Sequence, residues 1–241
     1  MKYKKNSLVT GGAGFIGSNL VDYLVKKNHK VTILDNFSTG RKSNLLKHKN
    51  GRIKIVNVDI SESRKILKYF KNIDYVFHLA GLADIVPSIE NPSKYFRANV
   101  LGTLSVLQAI KKSKIKKMIY AASASCYGIP NNVPTNEKSK INTMYPYAFT
   151  KWQAEEMIMH WAKIYNLPVI SLRFFNAYGP RSRTSGAYGA VFGVFLAQKL
   201  ANKPLTIVGN GKQTRDFIHV SDLIKVIFKC ATSKKVRKIY N

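Results

Sequence analysis

The chain has 241 residues and a formal net charge of +28, with 45% apolar and 11% aromatic residues. This composition excludes a disordered chain and suffices for one sizeable α/β domain with a partial second lobe. Its two cysteines, Cys126 and Cys230, have no paired spacing, so we expect a reduced, cytoplasmic protein without disulfides. The chain has no apolar run of membrane-span length, and its five histidines have no metal-ligand spacing. We therefore expect neither a membrane partner nor a metal.

The positive charge raises the question of nucleic-acid binding, which the rest of the sequence does not favour. Lysine far outnumbers arginine, the charges are spread along the whole chain, and no nucleic-acid module pattern accompanies them. The basic cluster at 111–117 falls where a helix should lead into a strand, a place that is normally exposed. We expect solvated surface that helps to attract an anionic nucleotide, and no specific nucleic-acid partner.

The chain begins with a strand, a glycine turn and a helix. Residues 7–10 predict a short buried strand, and Ile16, Leu20 and Leu24 lie on one helical stripe. The glycines of the turn at 11–17 permit close approach of a pyrophosphate to the helix N-terminus, whose free amides and dipole favour anions. An ordinary glycine-rich turn is the alternative. The strand–turn–helix context favours a dinucleotide site.

The second predicted strand, 31–35, ends in an acid at Asp35. Dinucleotide-binding folds carry an acid about twenty residues past the glycine turn. A carboxylate there accepts hydrogen bonds from a ribose diol and repels a 2′-phosphate, so we expect NAD in preference to NADP. The alternative role of Asp35 is to cap the turn at 36–40, and its position and type together favour the cofactor.

Strands and helices alternate along the chain after this unit. Further predicted strands lie at 53–58, 75–78, 117–121 and 167–172, and predicted helices at 61–70, 92–112 and 146–164. Alternation of this kind predicts an α/β fold with a doubly wound parallel sheet. The pattern loosens after Asn176, where a helix at 191–200 and a short strand at 205–208 are predicted.

Tyr147 and Lys151 lie four residues apart in a predicted helix and therefore share one face. A lysine ammonium beside a phenol favours the phenolate and lowers the tyrosine pKa. A hydroxyl from Ser123 would then bridge a substrate alcohol to that phenolate. Such a trio removes a proton from a carbinol while a hydride leaves the same carbon, which indicates dehydrogenase chemistry. A solvated helix face is the alternative for an isolated pair, and the glycine turn makes it the weaker one.

Ordered motifs complete the pattern. They are the loop at 10–17, Asp35-Asn36, the segment 58–60, His78-Leu79-Ala80-Gly81, the segment 99–103, Ser123 with Tyr127-Gly128, Tyr147 with Lys151, and the segments 173–180 and 214–222. With these motifs, from Leu8 to its end, the chain resembles the extended short-chain dehydrogenase/reductase family, specifically its nucleotide-sugar 4-epimerases. The resemblance implies a Rossmann fold and NAD as cofactor.

The resemblance also implies roles for individual residues. Tyr147 would be the base, Lys151 would hold the nicotinamide ribose, and Ser123 would hydrogen-bond the sugar 4-hydroxyl. The implied cofactor contacts are Gly11, Gly14, Phe15, Ile16, Gly17, Asp35, Asn36, Asp59, Ile60, Leu79, Ala80, Gly81, Asn99, Tyr147, Lys151 and Phe174. Of these, Asp59 and Ile60 would contact the adenine, and Asn99 would support the polar network of the active site. The implied substrate contacts are Ser88, Ser123, Tyr147, Asn176 and Arg215, with Asn176 and Arg215 at the diphosphate of a UDP-sugar.

The resemblance further implies how the chain is organised. We expect an NAD-binding Rossmann domain at 1–175, a partial substrate-binding lobe at 176–213 and a segment that returns to the Rossmann domain at 214–241. Because members of the family continue with further substrate-domain elements, we expect the smaller lobe to be C-terminally incomplete. A homodimer is left open.

The expected reaction is NAD-dependent 4-epimerisation of a UDP-sugar through a transient 4-keto intermediate. The alternatives are a 4,6-dehydratase or decarboxylase on the same scaffold and a non-catalytic NAD-binding regulator, against which the intact trio argues. Similar dehydratases carry an acid pair directly after the active-site hydroxyl residue, and similar decarboxylases carry a glutamate at the position of Ser125. Here the two residues after Ser123 are Ala124 and Ser125, which favours the epimerase.

Overall fold

The computed structural model describes residues 5–48, 51–130, 132–182, 191–207 and 209–241. Its main feature is a seven-stranded, all-parallel sheet with the strand order β3-β2-β1-β4-β5-β6-β9, beside a two-stranded parallel pair, β7-β8. The strands are β1 (Lys5–Thr10), β2 (His29–Asp35), β3 (Ile53–Asn57), β4 (Tyr75–His78), β5 (Lys117–Ser123), β6 (Val169–Phe174), β7 (Asn176–Tyr178), β8 (Phe217–His219) and β9 (Lys238–Tyr240).

Helices connect these strands. They are α1 (Phe15–Lys26), α2 (Ser63–Ile66), α3 (Ile85–Glu90), α4 (Pro92–Tyr95), α5 (Gly102–Lys111), α6 (Pro146–Ile164), α7 (Val191–Leu200) and α8 (Val220–Thr232). Short 3₁₀ turns occur at Lys42–Leu45, Leu67–Phe70 and Ala124–Tyr127, and a π-helical turn at Phe96–Leu101. Within the described ranges, no helix combines the length and apolarity needed to cross a bilayer.

The sheet is buried on both faces, as a parallel sheet requires. Neighbouring residues of β1 show this, because Leu8 packs in one helical layer with Val106 and Ile158, while Val9 packs in the other with Leu20. The chain runs from β1 out to β3 and then returns to β4 on the other side of β1. The predicted doubly wound α/β fold is confirmed.

Most predicted elements lie where the sequence places them, and α6 has the predicted bounds. The predicted continuous helix 92–112 is wrong in one respect, because a π-helical turn at Phe96–Leu101 interrupts it. The inserted turn carries the buried Asn99, and such turns are frequent at functional sites. The predicted helix 61–70 is shorter, with α2 followed by a 3₁₀ turn.

The region after β6 departs most from the predictions. The strand predicted at 205–208 is wrong for 205–207, which have no regular structure, and Val208 lies outside the described residues. Instead, three-residue strands β7 and β8 pair with each other, and such short elements have no readable periodicity. At the end of the chain, β9 adds to the main sheet beside β6. The expected division of the chain into three segments stays a prediction.

A buried ion pair joins α6 to the sheet. The Nε atom of Arg173 donates to Oε1 of Glu155 at 2.9 Å, and the two side chains are 4% and 1% exposed. The hydroxyl of Ser171 donates to the other Glu155 oxygen at 2.6 Å, and Nη1 of Arg173 donates to the Tyr127 hydroxyl at 2.7 Å. The pair therefore fixes the helix that carries Tyr147 against β6.

We expect Glu155→Gln to lower the free energy of unfolding by about 3–5 kcal/mol, because it leaves the Arg173 charge buried without a counter-charge. Glu156→Gln is the matched control, since Glu156 is exposed on the same helix, and it should change stability by less than about 0.5 kcal/mol. Urea denaturation measures both variants. Equal effects would contradict this account of how α6 is held.

Candidate active site

Two adjoining clefts open at the carboxyl edge of the sheet, where parallel strands place ligand-binding loops. The first, called here the glycine-turn cleft, has a volume of about 270 Å³ and lies over the turn after β1. The second, the tyrosine cleft, has a volume of about 530 Å³ and is lined in part by Ser123, Tyr147 and Lys151. Both clefts are lined by Phe15 and Leu79, so they form one continuous site.

The glycine turn has no room for side chains. Gly11 has a φ of +71°, and a Cβ atom added at Gly17 would lie 2.1 Å from the Gly11 carbonyl oxygen. Gly14 closes the turn by donating to that carbonyl at 3.2 Å and immediately precedes α1. Gly14, Phe15, Ile16 and Gly17 line the glycine-turn cleft, so the first turn of α1 borders it. Amides there have no intrahelical partners, and they suit an anion.

Asp35 lies on the wall of this cleft and also holds the glycine turn. It is 7% exposed, and its two carboxylate oxygens accept from the backbone amides of Ala13 and Phe37, each at 2.8 Å. Burial raises the pKa of Asp35, and the two backbone hydrogen bonds oppose that rise. The alternative capping role is therefore real, and it is compatible with a contact to a bound ribose.

The far end of the glycine-turn cleft is lined by Asn36, Asp59 and Ile60. The amide of Asn36 donates to Oδ2 of Asp59 at 3.2 Å, while Oδ1 of Asp59 accepts from the Ser61 backbone at 2.8 Å. Ile60 supplies an apolar surface beside this carboxylate. The arrangement offers a flat ring both a hydrogen-bond acceptor and an apolar contact.

The floor of the site is the loop after β4, where Leu79, Ala80 and Gly81 line the cleft as predicted. Asn99 holds this loop from behind. Its Oδ1 accepts from the Leu82 amide at 2.8 Å, and its Nδ2 donates to the Leu82 carbonyl at 3.1 Å and to the Thr150 hydroxyl at 3.0 Å. Asn99 is 2% exposed and joins the loop to α6, and its expected contact with the cofactor stays a prediction.

Tyr147 stands in the first turn of α6 and lines the tyrosine cleft together with Ser123. Burial raises the pKa of the Tyr147 phenol, and interactions with the side chains of Ser123 and Ser125 oppose the rise. The predicted lowering of that pKa by Lys151 is therefore wrong for this structure. The Lys151 ammonium lies 4.4 Å from the centre of the Tyr120 ring, and burial lowers its own pKa to about 7.

The expectation that Ser88 binds substrate also needs correction. Ser88 is fully buried, its hydroxyl donates to the Ile85 carbonyl at 2.5 Å, and it accepts from the Tyr147 backbone amide at 3.1 Å. The first amides of a helix have no partner within the helix, so Ser88 satisfies one of them. Ser88 positions Tyr147 from beneath the cleft and does not reach its surface.

Three further predicted residues lie across the tyrosine cleft from Tyr147, and all of them line it: Phe174, Asn176 and Arg215. The Nδ2 atom of Asn176 donates to the Asp216 carbonyl at 2.9 Å, which links β7 to β8. The Nη1 atom of Arg215 donates to the Thr214 carbonyl at 2.7 Å, and the side chain is exposed. Both side chains are placed to meet a charged group entering from solvent.

Sequence reasoning missed a buried polar chain beneath the site. The Nδ1 atom of His78 lies 2.8 Å from the Thr10 hydroxyl, and its Nε2 lies 2.9 Å from the Thr103 hydroxyl. Burial lowers the pKa of His78 to about 3, so the ring is neutral near pH 7. Thr10 in turn accepts from the Ala80 amide at 3.2 Å. The one available signal was a histidine at the end of an otherwise apolar strand.

Comparison with known proteins identifies the family of this chain. The model of the NAD dependent epimerase/dehydratase family matches residues 7–241. The chain is 40% identical over 220 residues to a putative UDP-glucose 4-epimerase of Methanocaldococcus jannaschii, covering 90% of this chain and 70% of that protein. It is 37% identical to a UDP-N-acetyl-alpha-D-glucosaminuronate decarboxylase of Bacillus cytotoxicus, covering 99% of this chain and 74% of that protein.

A solved structure agrees with the sequence comparisons. The UDP-N-acetylglucosamine 4-epimerase of Methanobrevibacter ruminantium, in complex with UDP-N-acetylmuramic acid, superposes with a TM-score of 0.94 at 36% identity. The match covers 99% of this chain and 76% of that one. Sequence, fold and the order of the site residues lead to one assignment: the chain belongs to the NAD-dependent epimerase/dehydratase family.

Proposed function

We propose that the chain is an NAD-dependent UDP-sugar 4-epimerase that works through a transient 4-keto sugar. The observation that carries this proposal is the pair of hydroxyls from Ser123 and Tyr147 in a cleft continuous with the glycine turn. The two relatives named as 4-epimerases support it. So does the absence of a carboxylate at Ala124 and Ser125, where an elimination or a decarboxylation would need one.

The residues of the glycine-turn cleft fit NAD. A Cβ at Gly17 would collide with the Gly11 carbonyl, so only glycine lets the turn pack this closely against α1. The first turn of α1 then borders the cleft, where its free amides would meet a pyrophosphate. Asp35 would hold the adenosine ribose, and Asp59 with Ile60 would receive the adenine. When bound, NAD supplies the acceptor for the hydride that leaves carbon 4.

Tyr147 and Ser123 would act on the sugar 4-hydroxyl. Tyr147, as phenolate, takes the proton from that hydroxyl while the bond from carbon 4 to hydrogen breaks, and Ser123 donates a hydrogen bond to the same oxygen. Because burial raises the pKa of Tyr147, the phenolate forms at higher pH and the rate should rise with pH. Lys151 would bind the nicotinamide ribose from the same helix face.

The two residues that follow Ser123, both among those the structure describes, offer the 4-keto sugar no acid or base for elimination. Alanine offers no proton transfer, and the Ser125 hydroxyl already donates to Ser123 at 2.8 Å. The sugar would therefore turn over and be reduced on its other face, with Tyr147 returning the proton. The volume of about 530 Å³ is ordinary for a small-molecule site, and Asn176 and Arg215 would bind the diphosphate during the turnover.

Because one relative is a decarboxylase, decarboxylation on the same scaffold is the second candidate reaction. Against it stands Ser125, since proton transfer to or from carbon requires a group with a suitable pKa at this position. A non-catalytic NAD-binding regulator is opposed by the joint presence of Ser123, Tyr147 and Lys151. A homodimer and a cytoplasmic location stay predictions from the sequence.

We expect Tyr147→Phe to lower kcat by about 10²–10⁴-fold, the usual contribution of a general base, while NAD binding changes little. Tyr145→Phe is the matched control. Its ring stacks on Tyr147 with 6.4 Å between centroids, yet Tyr145 lines a different groove and should keep near wild-type activity. Steady-state kinetics and NAD titration measure both, and an active Tyr147→Phe enzyme would show that the base is assigned wrongly.

We expect the wild type to bind NAD at least about tenfold more tightly than NADP, because Asp35 repels a 2′-phosphate at contact distance. Asp35→Asn should reduce the preference for NAD over NADP, because it removes the negative charge. The oxygen that remains on the substituted side chain can still accept from one backbone amide of the turn. Asp222→Asn, at an exposed site on α8, should leave the ratio unchanged. Calorimetric titration measures the affinities, and equal or tighter NADP binding by the wild type would refute this role.

We expect incubation with a panel of UDP-sugars to give 4-epimers with no net change in NAD. NMR of the products tests the proposed function as a whole, with UDP-glucose, UDP-galactose and their 2-acetamido forms as first substrates. GDP- and dTDP-sugars serve as controls for the nucleotide. Release of a 4-keto-6-deoxy sugar would show that the enzyme is a 4,6-dehydratase and not an epimerase. Release of carbon dioxide from a UDP-uronic acid would show that it is a decarboxylase.

A further inference from the structure

Ser125 contacts the Ser123 hydroxyl, although it is absent from the described residues that line the two clefts. Its Oγ donates to Oγ of Ser123 at 2.8 Å, and its backbone amide donates to the same atom at 3.2 Å. The Ser125 side chain also acts on Tyr147, where it opposes the rise that burial causes in the pKa of the phenol. Ser125 lies behind Ser123, in the 3₁₀ turn Ala124–Tyr127 that Ser123 caps.

These contacts decide what the Ser123 hydroxyl can do. A hydroxyl has one proton and two lone pairs. The amide and the hydroxyl of Ser125 occupy both lone pairs of Ser123, so Ser123 is left as a donor only. Its proton can go to Tyr147 or to an oxygen in the cleft, and the donation from Ser125 strengthens it as a donor.

We propose that Ser125 is a positioning residue that keeps Ser123 a hydrogen-bond donor, so that Tyr147 takes the sugar proton directly and not through Ser123. A relay would require Ser123 to accept from the sugar 4-hydroxyl, for which it has no free lone pair. The proton thus moves from the 4-hydroxyl oxygen to the Tyr147 oxygen and returns the same way. This inference rests on the proposed function.

Three variants separate this role from a purely structural one. Ser125→Ala removes the hydroxyl but keeps the backbone amide that caps the 3₁₀ turn, and it opens one lone pair on Ser123. Ser125→Thr retains the hydroxyl. Ser113→Ala is the matched control, because Ser113 is a part-buried serine that loses one comparable hydrogen bond, 2.9 Å to the Ala109 carbonyl, at the end of α5.

We expect Ser125→Ala to lower kcat by about tenfold with KM nearly unchanged, the cost of roughly one hydrogen bond to a developing charge. Ser125→Thr should recover most of the rate, and Ser113→Ala should match the wild type. The rate in mixtures of H₂O and D₂O should fall linearly with deuterium content in the wild type, as for one proton in flight. Curvature in the wild type, or wild-type kinetics in Ser125→Ala, would overturn the proposal.

A second measurement does not depend on turnover. Neutron diffraction from crystals of the wild-type protein with NAD locates the deuterons of the three hydroxyls. We expect the Ser125 deuteron between the two serine oxygens and the Ser123 deuteron directed away from Ser125. A Ser123 deuteron directed at Ser125 would refute the inference. An enzyme inactive on every UDP-sugar, with the expected deuteron positions, would instead refute the proposed function alone.

Discussion

The rest of the site depends on the tight packing of the glycine turn, where a Cβ atom added at Gly17 would lie 2.1 Å from the Gly11 carbonyl oxygen. With no side chain at either residue, a turn of four residues, 11–14, leads from the carboxyl end of β1 into α1, whose first turn borders the cleft. Asp35 then ties the turn to the end of β2 through two backbone amides. The part of the wall that would meet a pyrophosphate is thus backbone, at the glycine turn and the start of α1.

The opposite wall is positioned by buried polar groups, most of them uncharged. His78 is neutral and bridges two threonines, while Asn99 joins the loop after β4 to α6. Neutral groups give directional hydrogen bonds without the cost of burying a charge. The buried charges of Glu155 and Arg173 are paired away from the cleft. Tyr147 and Lys151 are therefore set in a rigid frame, and the depressed pKa of Lys151 reflects its own burial.

Sequence reasoning predicted the features that depend on local spacing. The bounds of α6, the shared face of Tyr147 and Lys151, and the position of Asp35 follow from helical periodicity and from the distance to the glycine turn. It missed what long-range contacts decide. Ser88 lies 59 residues from the amide it satisfies at Tyr147. The orientation of the Lys151 ammonium over Tyr120 likewise depends on a strand that spacing along α6 does not reveal.

The central claim is that hydrogen leaves carbon 4 of a UDP-sugar and returns to the same carbon without meeting solvent. A UDP-sugar labelled with deuterium at carbon 4 tests this most directly, with mass spectrometry and NMR of both epimers at equilibrium. The account predicts that the deuterium stays at carbon 4 in substrate and product alike, even in H₂O. Loss of the label to solvent during epimerisation, or its appearance at carbon 6, would contradict it.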